Sequence, residues 1–111
     1  MSSLVKRLSE GEHQLEASLR PERSANNLKA CIDREFVIVR FTETQGGTEL
    51  GFKLDHGDSD LSKADFSVPE GVVKLVGYLT VDYVKVKCVA KIDLRTLTGI
   101  GHLEPTPERS P

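Results

Sequence analysis

The stretch VKVKCVAKIDLR, residues 84–95, carries the clearest periodic signal in the chain and decides the fold class. One parity is apolar throughout: Val84, Val86, Cys88, Ala90, Ile92 and Leu94. The other parity is mostly charged: Lys85, Lys87, Lys91, Asp93 and Arg95, with Val89 among them. Strict alternation over this length predicts a β-strand with one face in the core and the other in solvent. Such a strand needs neighbours on either side to bury its apolar face.

Alternation and short apolar runs predict further strands on both sides of this one. We expect strands over residues 12–19, 35–44, 49–55, 73–81 and 98–104, with a tight turn at Asp82 and Tyr83. The glycine pair within residues 45–48 predicts a hairpin turn, since glycine supplies the positive φ that tight turns require. A short amphipathic helix is predicted over residues 2–11. The main helix begins at Pro21 or, alternatively, one turn later with Ser24 as its cap, and it ends near Arg34.

This order of elements favours an α+β fold. We predict a curved antiparallel sheet of about six strands wrapped around one main helix, a roll, because one helix cannot cover both faces of such a sheet. The alternative is a small open β-barrel with a plugging helix. The 111 residues fit one domain, which we place at residues 1–104, followed by a disordered proline-rich tail at residues 105–111. Phe36, Phe41 and Phe52 are expected in the core.

Charge and composition argue against several classes of protein. Lysine and arginine number 15 and acidic residues 17, so the basic excess typical of nucleic-acid binding is missing. Aromatic residues make up 5% of the chain, which leaves few rings for base stacking and argues against a nucleic-acid partner. No apolar run is long enough for a membrane helix or a signal peptide, so we expect no membrane partner and a cytoplasmic location. Cys31 and Cys88 lie on predicted apolar faces and are expected to be buried free thiols.

Catalytic motifs with a known mechanism are absent from the sequence. There is no P-loop, no G-x-S-x-G elbow, no H-E-x-x-H and no paired C-x-x-C. If the chain is an enzyme, its acid and base groups would come from His13, His102, Asp82 and Tyr78. Because no sequence pattern brings these residues together, we lean toward a protein that is not an enzyme, and we predict no cofactor.

Positive side chains form the candidate ligand-binding set. Four of them share the outer parity of the strand at residues 84–95: Lys85, Lys87, Lys91 and Arg95. They indicate either a solvated sheet face or a surface for an anionic ligand. Arg40 stands within an apolar strand, where an arginine needs a carboxylate or a ligand anion. Glu16 or Glu49 on a neighbouring strand would provide that carboxylate.

Negative charge is concentrated in residues 41–70, which hold seven acidic and two basic residues, a local charge of −5. Asp55, Asp58 and Asp60 offer oxygen ligands for a hard cation, but their spacing does not match a calcium-binding loop, so we predict no metal site. The acidic loop at residues 56–69 is long for so small a domain, and long loops are often functional.

We therefore expect a small interaction or accessory module that binds through an exposed sheet face or through the acidic loop at residues 56–69. Its partner would be another protein or a second copy of itself, as a homodimer. The alternatives are a small-molecule-binding protein and a small lyase or isomerase, each with a pocket between helix and sheet. Gly51 and Gly77, inside predicted strands, would then give a ligand room or mark bulges.

Overall fold

The strong alternation of the sequence becomes a sheet of six strands in the computed structural model, which describes residues 3–19, 24–44, 47–68, 70–81 and 83–106. The elements in chain order are α1 (Ser3–Ser9), β1 (His13–Ala17), α2 (Ala25–Asp33), β2 (Phe36–Phe41), β3 (Thr48–Leu54), β4 (Val72–Val81), β5 (Val84–Asp93) and β6 (Thr98–Pro105). The predicted strand at residues 84–95 is thus confirmed as β5. The predicted helices and strands all exist, with boundaries that differ by a few residues.

The six strands form a closed antiparallel barrel in the order β1-β2-β3-β4-β5-β6. β1 closes it by pairing with β2 on one side and with β6 on the other. β4 and β5 pair along their whole length, from Val72 opposite Asp93 to Val81 opposite Val84. By contrast, the register between β3 and β4 covers Lys53 opposite Tyr78 and Leu54 opposite Gly77. The seam between β3 and β4 is therefore the shortest ladder of the barrel.

The predicted roll around a main helix is wrong, and so is the open form of the alternative barrel. Both helices are short, with seven residues in α1 and nine in α2. The sheet closes on itself and fills its own interior, so no helix is needed inside it. Closure also removes the exposed strand edges that an open sheet would have to protect. The protein is mostly β, with two short helices packed against the barrel.

The core is built from the inward parity of every strand. Phe41, Phe52, Leu75 and Ile92 are each 0% exposed. The apolar stripes of both helices join the same cluster, and these helical residues are Val5 and Leu8 of α1 with Leu28 and Ile32 of α2. A helix of two turns is not stable alone in water, so these apolar contacts with the barrel are what hold α1 and α2 in place.

Helix α2 begins at the second of its two predicted starts. Ser24 has extended backbone angles, and its hydroxyl accepts a 3.2 Å hydrogen bond from the Asn27 backbone N–H, as an N-cap does. The helix ends at Asp33, and Glu35 adopts a left-handed conformation with φ of 63°. The Glu35 carbonyl then accepts a 2.8 Å hydrogen bond from the Leu54 N–H, which directs the chain into β2 beside β3.

Phe36 does not belong to the core, contrary to the sequence prediction. It is 50% exposed, because β2 alternates and Phe36 shares the outer parity with Ile38 and Arg40. Its ring lies over Gly51 of β3, where a Cβ atom would come within 2.6 Å of the ring. Gly51 thus makes room for an aromatic side chain of the protein itself. Phe41 and Phe52 are buried as predicted.

The two cysteines differ in their surroundings. Cys88 on the inner face of β5 is fully buried, and this burial raises the pKa of its thiol to about 12. Cys31 on α2 is only half-buried, with a guanidinium nitrogen of Arg34 3.5 Å from its sulfur. Both thiols are free. The prediction of a buried free thiol is therefore confirmed for Cys88 but only in part for Cys31.

Several predictions concern the turns and the chain end. The β2–β3 hairpin forms as predicted, with Phe41 opposite Thr48 and Gly47 at a φ of 77°, while Gln45 and Gly46 of its turn lie outside the described residues. β6 reaches Pro105, and the Thr106 N–H donates a 3.1 Å hydrogen bond to the Lys85 carbonyl. The rest of the predicted disordered tail lies outside the described residues. Among the helices that the structure describes, none is long and apolar enough to span a bilayer.

Candidate functional site

The outer surface of β4, β5 and β6 brings together four of the candidate residues, Tyr78, Lys87, Lys91 and His102. We call it the β4–β6 face and define it by three cross-strand rows: Lys74–Lys91–Ile100, Val76–Val89–His102 and Tyr78–Lys87–Glu104. The rows arise because alternate residues of a strand point to the same side and the antiparallel register aligns them across three strands. An open cleft of about 290 Å³ lies over this face, and Glu12 and Asp58 add to its walls.

The floor of the cleft is apolar, although it lies on the outside of the barrel. Val76 is 1% exposed and Val89 is 8% exposed. Ser59 covers Val76 from the loop between β3 and β4, and its hydroxyl accepts a 2.9 Å hydrogen bond from the Val76 N–H. The same hydroxyl donates a 2.7 Å bond to the Asp55 carbonyl. The acidic loop is therefore attached to the edge of the β4–β6 face.

His102 stands between two carboxylates in this cleft. Its Nε2 lies 2.7 Å from Glu104 Oε2 in a hydrogen bond, and this bond lowers the pKa of the Glu104 carboxyl. Its Nδ1 is buried and lies 3.0 Å from Glu12 Oε1, but the contact is not aligned as a hydrogen bond. A neutral imidazole has one N–H and can serve one carboxylate; only the doubly protonated ring presents a donor to both.

The lysines of the face are unequal in their contacts. Lys87 Nζ lies 4.0 Å from Asp58 Oδ2, at the limit of an ion pair. Lys74 and Lys91 lie directly opposite each other on β4 and β5, and both are exposed. Within the described residues, neither forms an ion pair at 4.0 Å or less. Like charges directly across a strand pair repel. Asp60 forms a β-bridge with Lys74 and interacts with it electrostatically, so the positive charge of this row is offset only in part.

The aspartates proposed as cation ligands serve the turns of the acidic loop instead. Asp55 Oδ1 accepts a 2.9 Å hydrogen bond from the Gly57 N–H. Asp60 Oδ1 accepts hydrogen bonds from the backbone and the hydroxyl of Ser62, and these bonds lower the pKa of the Asp60 carboxyl. Asp58 faces Lys87. Within the part of the chain that the structure describes, no group of three or more potential ligand side chains is placed to hold a metal ion.

Arg40 lies on the other side of the barrel, on the outer face of β2. Its Nη1 is 3.6 Å from Glu16 Oε1, which confirms the predicted pairing with a cross-strand carboxylate. Glu49 lies opposite Arg40 on its other side, in β3. The Arg40 side chain is 46% exposed, so this arginine occupies a solvated position rather than an apolar interior.

The remaining candidates do not converge on His102. His13 pairs with Gly101 across β1 and β6, but it has the inward parity, and its ring contacts Glu43 Oε1 at 3.1 Å and the Glu10 carbonyl at 2.9 Å. Tyr78 is at a corner of the β4–β6 face and is 45% exposed. Three predicted site residues remain. Lys85 is exposed near the end of the barrel where β5 begins, Arg95 lies in the turn after β5, and Asp82 lies outside the described residues.

Sequence reasoning missed Lys74, Glu12 and Glu104 as members of this surface. A signal for Lys74 was present: with a two-residue turn at 82–83, Val81 faces Val84, and counting back along both strands places Lys74 opposite Lys91. No such local rule places Glu12 beside His102, because β1 and β6 meet only when the barrel closes.

No protein-family model matches the chain, and no curated protein matches its sequence. The chemistry of the cleft must therefore be read from its own side chains. The described lining contains lysines, carboxylates, valines and one imidazole, and it includes no serine, threonine or cysteine. His102 and Glu104 form an acid–base pair, but the lining supplies no hydroxyl or thiol nucleophile for it to activate.

Proposed function

We propose that the protein is a small interaction module that binds another protein surface through the β4–β6 face. One observation carries the proposal: Lys74 and Lys91 stand side by side without an ion pair, next to Ile100, which is 42% exposed. Their mutual repulsion costs stability in the isolated chain. A partner that supplies carboxylates would relieve this repulsion, and a partner that covers Ile100 would bury apolar area.

The layout of the face supports a binding role. Its exposed apolar area is at Ile100 and Tyr78, which are 42% and 45% exposed among charged side chains, and protein interfaces commonly combine apolar and polar groups in this way. β4, β5 and β6 form the longest ladders of the barrel, so the face is held rigidly and little order must be imposed on it when a partner binds. The acidic loop borders the same face through Asp58 and Ser59. The two predicted binding surfaces thus adjoin and act together.

The barrel interior favours this proposal over binding of a small molecule between helix and sheet. Phe41, Phe52 and Leu75 fill the interior, and each is 0% exposed. Gly77 lies against Phe52 and the Lys53 backbone, and therefore accommodates the packing of the protein rather than a ligand.

The test is selection of peptides from a random display library against the whole protein, followed by NMR mapping on the ¹⁵N-labelled chain. We expect the selected peptides to shift amide signals of β4, β5 and β6. The variant Lys91→Glu should weaken their binding by about tenfold or more, since it reverses a charge at the centre of a row. Lys29→Glu, on the exposed side of α2, is the matched control and should change nothing. Peptides that map elsewhere, or that ignore Lys91→Glu, overturn the proposal.

A further inference from the structure

We propose that the occupant of the β4–β6 face is a second copy of this chain, so that the protein forms a homodimer with two-fold symmetry. This inference rests on the proposed function and names its partner. The cleft holds three lysines and three carboxylates, so its charges balance before His102 is counted. A face with balanced but sorted charges fits a copy of itself better than it fits a uniformly acidic partner.

The positive and negative charges of the face are sorted in part. Lys87 is the exception, because it lies directly opposite Glu104. Lys74 occupies the corner where the first row meets β4, and Glu104 occupies the corner where the third row meets β6. Lys91 adjoins Lys74, while His102 adjoins Glu104. A two-fold interface requires that residue i meet residue j of the copy while j meets i. Lys74 and Glu104 are the two ends of one diagonal of the face. They satisfy that rule if the symmetry axis runs along the other diagonal.

That other diagonal is apolar. It joins Ile100, Val89 and Tyr78, and its two ends are 42% and 45% exposed. An axis along it, in the plane of the interface, places Ile100 and Tyr78 each against its own counterpart in the second copy, while the buried Val89 lies beneath the middle of the axis. The arrangement buries exposed apolar surface along the centre. Lys74 then faces Glu104 of the second copy, and this contact occurs twice in each dimer.

The same axis places Lys91 against His102 of the second copy, beside the Glu12 that contacts that ring. Lys91 thus gains a carboxylate that it lacks in its own chain. Both lysines of the first row therefore find acidic groups in the copy. The strands of the two copies cross steeply in this arrangement, as they do in orthogonal packings of sheets.

Charge reversal gives the first test, by sedimentation equilibrium over a range of protein and salt concentrations. The whole wild-type chain should dimerise, and more weakly as salt is added. Lys74→Glu alone and Glu104→Lys alone should each weaken the dimer by about tenfold or more, because each places like charges in both symmetric contacts. An equimolar mixture of the two variants should associate again as a heterodimer. Lys29→Glu is the control, and thermal unfolding of each variant verifies that it is folded.

A symmetric crosslink gives the second test and does not depend on charge. In a Cys31→Ser background, Ile100→Cys should form an intermolecular disulfide under mild oxidation, since this position lies on the proposed axis. Lys29→Cys in the same background should not. A wild-type chain that stays monomeric, a dimer indifferent to both charge reversals, or an absent Ile100→Cys crosslink overturns the inference. If the dimer fails while library peptides still bind the β4–β6 face, the proposed function stands and only the partner is wrong.

Discussion

The outer surface of the barrel has two halves, which differ in the charges of the side chains that lie opposite each other across neighbouring strands. Across β1, β2 and β3, one row reads Glu16–Arg40–Glu49, so that the only cation of the row has a carboxylate on each side. Across β4, β5 and β6, one row places Lys74 against Lys91. Opposite charges across strands stabilise a sheet and like charges destabilise it, by similar small amounts. The first row is neutralised within the chain. The second row is offset only in part, by Asp60 beside Lys74, and leaves positive charge that a partner can neutralise.

The two halves also cover their backbone differently. On the first half, the Phe36 ring spreads over Gly51 and leaves an aromatic surface half-exposed. On the second half, Val76 and Val89 are hidden beneath polar groups of the cleft and its bordering loop. The apolar surface that the second half offers to a partner is that of Ile100 and Tyr78, which are 42% and 45% exposed beside charged side chains. The contrast between the halves is what supports placing the binding surface on β4–β6.

The largest effect is expected at the seam where the two halves meet, between β3 and β4. A methyl group at Gly77 would collide with the Phe52 ring and the Lys53 backbone. Because backbone cannot yield as a flexible side chain does, Gly77→Ala should lower the free energy of unfolding by about 3 kcal/mol. Urea unfolding followed by circular dichroism measures it.

The control for this seam is Gly57→Ala, in the acidic loop. The nearest atom to a Cβ there is an Asp55 carboxylate oxygen at 3.2 Å, which can move. This change should stay within about 0.5 kcal/mol of wild type. A loss of unfolding free energy at Gly77 as small as that at Gly57 would mean that the packing between β3 and β4 tolerates a methyl group at this position.

A smaller effect, but one of opposite sign on the two halves, comes from removing a single cation from each. Arg40→Gln takes the cation from between two carboxylates and should lower the unfolding free energy by about 0.5 kcal/mol. Lys91→Gln removes a like-charge neighbour of Lys74 and should leave stability unchanged or raise it by about 0.3 kcal/mol. Urea unfolding at low salt measures both, and added salt should shrink the difference. If Lys91→Gln is as damaging as Arg40→Gln, the comparison between the halves fails.

The smallest expected effect is a loss of stability at acidic pH. The pKa of Glu43 is lowered by hydrogen bonds from the Gln14 backbone and then from His13, and the pKa of Glu104 is lowered by the bond from His102. A carboxyl whose pKa is lower in the fold than in the unfolded chain stabilises the fold above the unfolded value. That contribution is lost as pH falls through the lower, folded value. Thermal unfolding between about pH 6 and pH 3 should therefore show a falling midpoint, given unfolded carboxyl pKa values near about 4.3.

Substitution separates the two carboxyls. Glu43→Gln and Glu104→Gln should each flatten part of this decline. The flattening should be larger for Glu43, which accepts hydrogen bonds from both a backbone and a side-chain donor. A wild-type midpoint that does not move with pH, or variants that leave the slope unchanged, would contradict this reading of the two sites.

Much of the local structure was readable in the sequence because it depends on neighbours along the chain. Alternation assigned the inner and outer faces of β5, and Ser24 as the N-cap was one of the two predicted helix starts. The sequence pattern misled at Phe36. Residues 36–39 are apolar on both parities, and this suggested that both faces of the strand are buried. A large apolar side chain is also stable half-exposed over a glycine, and nothing in the local pattern distinguishes the two cases.

The candidate site was predictable only in part. Lys87 and Lys91 were assigned to one surface from their spacing, and His102 was named without a location. The predicted set of residues around His102 was wrong. His102 was considered together with His13 and Tyr78 as a catalytic set, whereas it lies in the cleft with the lysines. Assigning a histidine to one side of a sheet requires its parity within a strand and the partners of that strand. The second of these is a property of the whole barrel.

The sequence by itself determined the inward face of β5, where the hairpins turn and, through the short turn at residues 82–83, that Lys74 meets Lys91. These outcomes follow from the two-residue period of a strand and from turn geometry, which act over a few residues. Only the tertiary structure decided that the sheet closes without a helix inside it and that Glu12 reaches His102. Glu12 lies just before β1 and His102 lies on β6, near opposite ends of the chain. Their meeting depends on the accumulated twist and stagger of all six strands, which no local pattern encodes.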